Sequence, residues 1–318
     1  MPISFKEDHI SQIPALLMLE KLGYTYLTPD EALALRGGNL ANVLLEPVLR
    51  KQLAAINVVQ VSSVRTTVFS EQNITAGIDA LRNIPMDEGF MEASQTVYDL
   101  LTSGKTLEQI VDGDRKSFVM QYIDWKNPRN NVFHVTEEFA VSRTGMTETY
   151  RPDIVLFVNG IPLCVIECKR PDVKDSIEQA ISQHLRNQKA DGIRSLYLYS
   201  TLLLAINRQE GSYATTATPE KFWARWREQF TNREEEVRYR QELERVVNEP
   251  LLDDKLFGER FGYVRRNFEE LYRQPVIPSV QDEYLYNLCR PERLLQLMYG
   301  FTLYDDGIKT VSYTHLRA

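Results

Sequence analysis

An aspartate, a glutamate and a lysine within one short, otherwise apolar stretch are the residues of this chain best suited to chemistry. Asp153 follows Pro152 ahead of the run Ile154-Val155-Leu156-Phe157-Val158, and Glu167-Cys168-Lys169 closes a second run that begins at Ile161. Asn159-Gly160 separates the runs and readily supplies the positive φ angles of a tight turn, so the segment predicts an antiparallel hairpin. Both strands are apolar on both faces, which places them inside a covered sheet. Charged groups there are costly to desolvate unless they face a cleft and a cation. Alternation puts Glu167 and Lys169 on one face with Leu163 and Val165, and turns Cys164, Ile166 and Cys168 to the other. Two facing carboxylates raise each other's pKa unless a divalent ion lies between them, and hard oxygen donors with an incomplete shell suit Mg²⁺. Lys169 on the same face could orient an attacking water and stabilise negative charge in a transition state, a combination suited to metal-assisted hydrolysis such as that of a phosphodiester. The same three groups also suit a plain ion network that fixes strand register.

Whether Asp153 joins the other two depends on register. A two-residue Asn159-Gly160 turn followed by a regular ladder sets Asp153 opposite Ile166; a three-residue loop or one bulged residue sets it beside Glu167. A functional site therefore predicts an irregularity in the hairpin, or a kink at Pro152.

Pro152-Asp153, an apolar hairpin and Glu167-Cys168-Lys169 together resemble the PD-(D/E)xK nuclease signature. Tyr150 to Pro171, with the preceding stretch Asn131 to Phe139, more narrowly resembles the N-terminal nuclease region of the restriction (R) subunit of type I restriction-modification enzymes. The resemblance implies a restriction-endonuclease-like fold and a Mg²⁺-dependent endonuclease acting on double-stranded DNA. It implies Asp153, Glu167 and Lys169 as catalytic residues, with the metal held by Asp153, Glu167 and the backbone carbonyl of Cys168. It also implies an auxiliary glutamine on the helix after the hairpin, matched by Gln183, although the tyrosine that follows it in the pattern is replaced by Asn187. A catalytic-face glutamate expected on the first helix falls near Gln12, which receives no acid role. Partners implied are methylation and specificity subunits, in the cytoplasm. ATP is implied only for a motor domain that this chain does not carry. A docking module that keeps the nuclease fold without catalysis is the alternative.

Composition sets the outer limits. The chain has 318 residues, a formal net charge of −7, three cysteines and four histidines. Its apolar and charged fractions are those of a globular protein, and no run approaches a membrane span. Three cysteines, two of them inside a strand, argue against a disulfide framework, and scattered histidines give no zinc pattern. The acidic balance is unpromising for a free-standing DNA binder, although Lys169, Arg170, Lys174, Arg186, Lys189 and Arg194 make a locally basic neighbourhood.

Elements that would position these residues follow from period. An apolar helix ending at Leu22-Gly23 opens the chain, with Pro14 in its first turn. Helices are expected near Pro29–Leu35, Asn42–Ile56, Glu71–Arg82, Gly89–Ser103 and Thr106–Asp112. Ser103-Gly104-Lys105-Thr106 lacks the glycine and strand of a phosphate-binding loop and reads as a helix cap. From Asn131 the period becomes two, and His134 reads as half-buried on a strand. A helix over about 174–189 follows the hairpin, then strands at Leu196–Tyr199, Leu202–Asn207 and Tyr213–Thr216. Pro219 is expected to start a helix with Phe222, Trp223 and Trp226 on one side.

The fold class is thus α/β, a mixed central sheet flanked by helices, with a helical N-terminal part and a helical C-terminal connector. Residues 1–245 are expected to form the nuclease domain, helical over about 1–125 and carrying the catalytic sheet over about 130–217. A charge-paired helix or linker over 230–248 marks its end. Residues 246–318 are expected to be a connector towards the motor, with an atypical tail at 312–318.

Overall fold

Ile154–Val158 and Leu202–Ile206 contain no polar residue, and both lie in the interior of a six-stranded sheet, as continuous apolar strands must. The computed structural model describes residues 11–62, 65–250, 255–300, 302–305 and 308–311; the tail expected at 312–318 lies outside them. The strands are β1 (Thr25–Leu27), β2 (Phe133–Glu137), β3 (Ile154–Val158), β4 (Ile161–Cys168), β5 (Leu202–Ile206) and β6 (Gly211–Ala214), and they stand side by side in chain order. β1 and β2 are parallel, as are β4 and β5; the other neighbours are antiparallel. The sheet is therefore mixed and flanked by helices, as expected.

Helix α1 (Ile13–Lys21) carries Pro14 in its first turn and ends ahead of Gly23, which takes a φ of 103°. The helices α2 (Glu46–Ile56), α3 (Glu71–Arg82) and α4 (Phe90–Ser103) match three of the expected segments. Gly104 caps α4 at φ 79°. The segment expected as a helix at Thr106–Asp112 is instead a strand, Lys105–Val111, paired with Asp114–Met120. Asp112-Gly113, both at positive φ, forms the hairpin turn, and residues 105–111 alternate between more and less buried positions. That turn signal and the period of two outweigh helix propensity.

Helix α5 (Ser176–Asn187) follows the hairpin and packs over β4 and β5. Ile177, Ala180 and Ile181 close on Ala205, the β5 residue paired with Glu167, so Glu167 looks towards this helix. Leu196–Tyr199, expected as a strand, begins as a short helix at Arg194–Tyr197, because Ile193, Leu196 and Tyr197 are all buried and helical spacing turns them to one side. The helix expected after Pro219 is a single 3₁₀ turn at Glu220–Phe222; Ala224 pairs with Tyr213 instead, which extends the chain past Trp223.

Helix α6 (Arg233–Val247) is charge-paired on its outer side, Arg240 with Glu236 and Arg245 with Glu242 and Glu249. Its inner residues Leu243, Val246 and Val247 are buried against α1 and α7 (Val280–Cys289). Cys289 of α7 meets Cys164, on the sheet face opposite α5. With α8 (Pro291–Gly300), these helices belong to the same apolar cluster as the sheet, so the chain passes residue 245 without leaving the core. Cys164, Cys168 and Cys289 are all free and buried. Among the described residues no helix is long and apolar enough to cross a membrane.

Candidate active site

The hairpin that carries the charged residues turns at Asn159 and Gly160, at φ 53° and 84°. Asn159 is fully buried, donating to Tyr122 O and Asn131 Oδ1 and accepting from the Val132 amide, so the turn is fastened into the core. From a two-residue turn, Val158 pairs with Ile161 and Phe157 with Pro162; then Leu156 pairs with Cys164. Leu163 is the extra residue, a β-bulge whose carbonyl accepts from the Thr201 amide at 2.9 Å. The irregularity required by the sequence is present, and its consequence is arithmetic. Ile154 pairs with Ile166, so the next step brings Asp153 to Glu167.

Asp153, Glu167 and Lys169 do converge. Asp153 Oδ2 accepts from the Cys168 amide at 2.7 Å and lies 3.4 Å from Lys169 Nζ. Lys169 Nζ also donates to the Cys168 carbonyl at 2.9 Å. The Asp153 and Glu167 carboxyls are hydrogen-bonded to one another, and burial first, then Asp153, pushes the Glu167 carboxyl well above the ordinary range while Lys169 opposes the shift. Glu167 is fully buried, whereas the Asp153 and Lys169 side chains keep 14% and 12% of their surface in water. The cluster therefore has one wet edge.

Gln183 reaches the cluster from α5, its Nε2 donating to Glu167 Oε2 at 2.5 Å. Asn187, one turn on, donates more loosely to Glu167 Oε1 at 3.4 Å. Behind it lies a buried relay whose directions follow from donor capacity. The Leu204 carbonyl can only accept, so His184 Nε2 carries the proton and Nδ1 accepts from the Tyr197 hydroxyl, each at 3.0 Å. Burial holds His184 neutral by depressing its pKa to about 3. The Tyr197 oxygen in turn faces Asn187 Nδ2, and Arg186 donates to Asn187 Oδ1 at 3.0 Å, fixing the amide's orientation.

Three neighbours carried no role in the sequence. Gln12, where no acid could be assigned, donates to the Asp153 carbonyl at 2.9 Å and is hydrogen-bonded to Glu138. Glu138, at φ 48°, donates its amide to the same carbonyl, and burial followed by Asp153 raises its carboxyl's pKa. The only sequence signal for it was a second carboxylate directly after a strand. Tyr197 was concealed by the strand expected there. His134 is half-buried, and its Nδ1 has no partner among the described residues. Of the basic neighbourhood, Arg170 pairs with Asp172, Arg194 lies over Phe90, and Arg186 lies over the Tyr150 ring, which Arg143 from outside that group also covers. Trp223, half-buried, packs against the buried His184.

Among the described residues no group of three or more histidine, cysteine, aspartate or glutamate side chains could hold a metal. Oxygen donors do meet here in smaller number: two carboxylates and the Cys168 carbonyl, with a lysine ammonium already against two of them. Such a set fits a hard ion that keeps several waters, and does not fit zinc.

A family model for the type I restriction enzyme R protein N terminus matches residues 4–222, which include the whole sheet and α5. The chain belongs to that family. Its relatives include a Methanocaldococcus jannaschii protein provisionally named the MjaIXP type I restriction enzyme endonuclease subunit, 27% identical over 228 residues. Another is the type I restriction enzyme HindI endonuclease subunit of Haemophilus influenzae, 29% identical over 206 residues. These matches cover 69% and 62% of this chain but only 20% and 18% of the relatives. The R-protein N-terminal region thus corresponds here to a fifth or less of each relative's length, and it contains every residue of the carboxylate cluster.

Proposed function

We propose that this chain is a PD-(D/E)xK-type, Mg²⁺-dependent endonuclease region that hydrolyses phosphodiester bonds of double-stranded DNA. It would act in the cytoplasm within a longer restriction subunit that assembles with methylation and specificity subunits and a motor using ATP. One observation carries the reading: a β-bulge at Leu163 brings Asp153 to Glu167 and Lys169, an arrangement that a regular hairpin forbids. A ladder irregularity that gathers like charges in a buried place destabilises the fold, and such strain is characteristic of working sites.

Asp153, Glu167 and the Cys168 carbonyl would hold the Mg²⁺, which when bound polarises a phosphate oxygen and lowers the pKa of water. Gln183 and Asn187 orient Glu167, so that its oxygens do not rotate away from the pocket. Lys169, at the wet edge, is placed to orient the attacking water and to donate to the phosphate as negative charge builds on it. Gln12 fixes the Asp153 backbone from the other side.

A second reading draws on the same geometry. Lys169 is already satisfied by Asp153 and the Cys168 carbonyl, as in an ion network that only locks the hairpin of a docking module. Calorimetric Mg²⁺ titration of wild type and Asp153→Ala, with cleavage of a DNA duplex measured alongside, separates the two. Binding and cutting that both vanish in the variant support the nuclease; absence of binding in wild type, or binding indifferent to the substitution, supports the docking module.

A further inference from the structure

Beside Asp153 opens a cavity of about 460 Å³, within the ~300–1,000 Å³ of small-ligand sites. Its wall includes Arg36, Arg151, Arg260, Asp30, Glu138 and Thr149. Glu138 ties it to the cluster, because this residue's amide donates to the Asp153 carbonyl, and Arg151 lies two residues before Asp153.

Arg36 is the unusual member. Only 3% of it is exposed, and its guanidinium lies over the Phe139 ring at 4.0 Å. Nε and Nη1 donate to the carbonyls of Ala32, Asn42 and Ala140. Among the described residues no carboxylate pairs with it and Nη2 has no partner. A buried cation without a counter-ion is costly, and burial pulls its pKa down to about 10. Arg151 is exposed, and among the described residues it too makes no ion pair. Arg260 is committed to the fully buried Glu137 at 2.7 Å. Asp30 and Glu138 line the same wall, and among the described residues neither forms an ion pair with Arg36 or Arg151.

We propose that this cavity is a phosphate subsite that takes one phosphodiester, with its sugar, of the nucleic-acid strand leading to Asp153, held by Arg36 and Arg151. The inference rests on the nuclease reading for the identity of the strand. Arg36, whose carbonyl contacts are part of the fold, supplies a pre-set donor; Arg151 closes from the rim.

The test is fluorescence anisotropy of a labelled 30-base-pair duplex on the full chain, in the Asp153→Asn background with chelator so that nothing is cut, across a series of NaCl concentrations. Arg151→Ala is expected to lower the slope of log affinity against log salt by about 0.9 and to weaken binding roughly fivefold or more at 0.1 M salt. Arg36→Lys, chosen because it keeps the charge and part of the carbonyl contacts, should also weaken binding while melting near the parent temperature. Unchanged slope and affinity in Arg151→Ala would overturn the subsite, as would an equal loss in Lys116→Ala, which lies outside the cavity. Inorganic phosphate displacing the duplex from the parent at constant ionic strength, but not from Arg151→Ala, would assign the cavity to free phosphate and overturn the strand reading. Lower DNA affinity in the arginine variants together with no metal-dependent cutting by wild type would remove the nuclease and leave the subsite. Cutting lost in Asp153→Ala, with Arg151→Ala binding normally, would do the reverse.

Discussion

Replacing Glu167 by glutamine separates what the fold needs from what the chemistry needs. Glu167 is fully buried against Asp153, and its carboxyl is pushed well above the ordinary value of 4.5, first by burial and then by that neighbour. For a group whose pKa rises on folding, the folded chain holds a proton that the unfolded chain has released. Its contribution is therefore intact below pH 4.5 and is lost as the pH rises. At pH 7 the loss reaches up to about 3 kcal/mol, the cost of retaining that proton 2.5 pH units above the unfolded pKa. Glutamine has nearly the same shape, keeps an oxygen for the Gln183 amide and has no proton to lose. We expect Glu167→Gln, in chelator at pH 7, to be more stable than wild type by about 1–3 kcal/mol and to melt several degrees higher. The advantage should shrink to nothing as the pH falls to 4.5, since the other carboxyls are common to both proteins. Differential scanning calorimetry in EDTA between pH 4.5 and 7 reads this directly. If the variant melts lower at pH 7, or its advantage does not change with pH, the claim that burial and Asp153 make Glu167 hold its proton in the folded chain is wrong.

Two further substitutions test the surroundings. Tyr197→Phe removes the hydroxyl between His184 Nδ1 and Asn187, leaving a buried acceptor unpaired; a loss of about 1–3 kcal/mol is expected in urea denaturation, and an unchanged midpoint would mean that the relay is not formed. Gly160→Ala forces a side chain into φ 84° with its Cβ 2.6 Å from the Leu45 carbonyl oxygen and 3.1 Å from the Leu49 amide, where α2 begins. It should cost about 2 kcal/mol or more by chemical denaturation, and a neutral result would show that the turn can move away from α2.

Much of the site was legible in the chain because it is local. Asp153, the Asn159-Gly160 turn and Glu167-Cys168-Lys169 lie within 17 residues, and strand period with turn chemistry sufficed to show that a regular ladder would part the two carboxylates. The mixed α/β character was legible for the same reason, from long apolar strands followed by an amphipathic helix. Thr106–Asp112 and Leu196–Tyr199 are short segments whose residues fit two periods. In the first, Asp112-Gly113 decided for a hairpin; in the second, burial of Ile193, Leu196 and Tyr197 decided for a helix.

By itself, then, the amino-acid order determined which side chains could meet within one hairpin and that some irregularity had to bring them there. Only the folded chain decided that Leu163 is the residue expelled from the ladder, because the Thr201 amide, just ahead of the neighbouring strand β5, is what takes up its carbonyl. The folded chain likewise placed Gln12, Glu138, Tyr197 and Arg36 around Asp153 and Glu167. Those approaches join residues as many as 141 positions apart, and they are set by how helices and strands pack, which no local pattern of residues encodes.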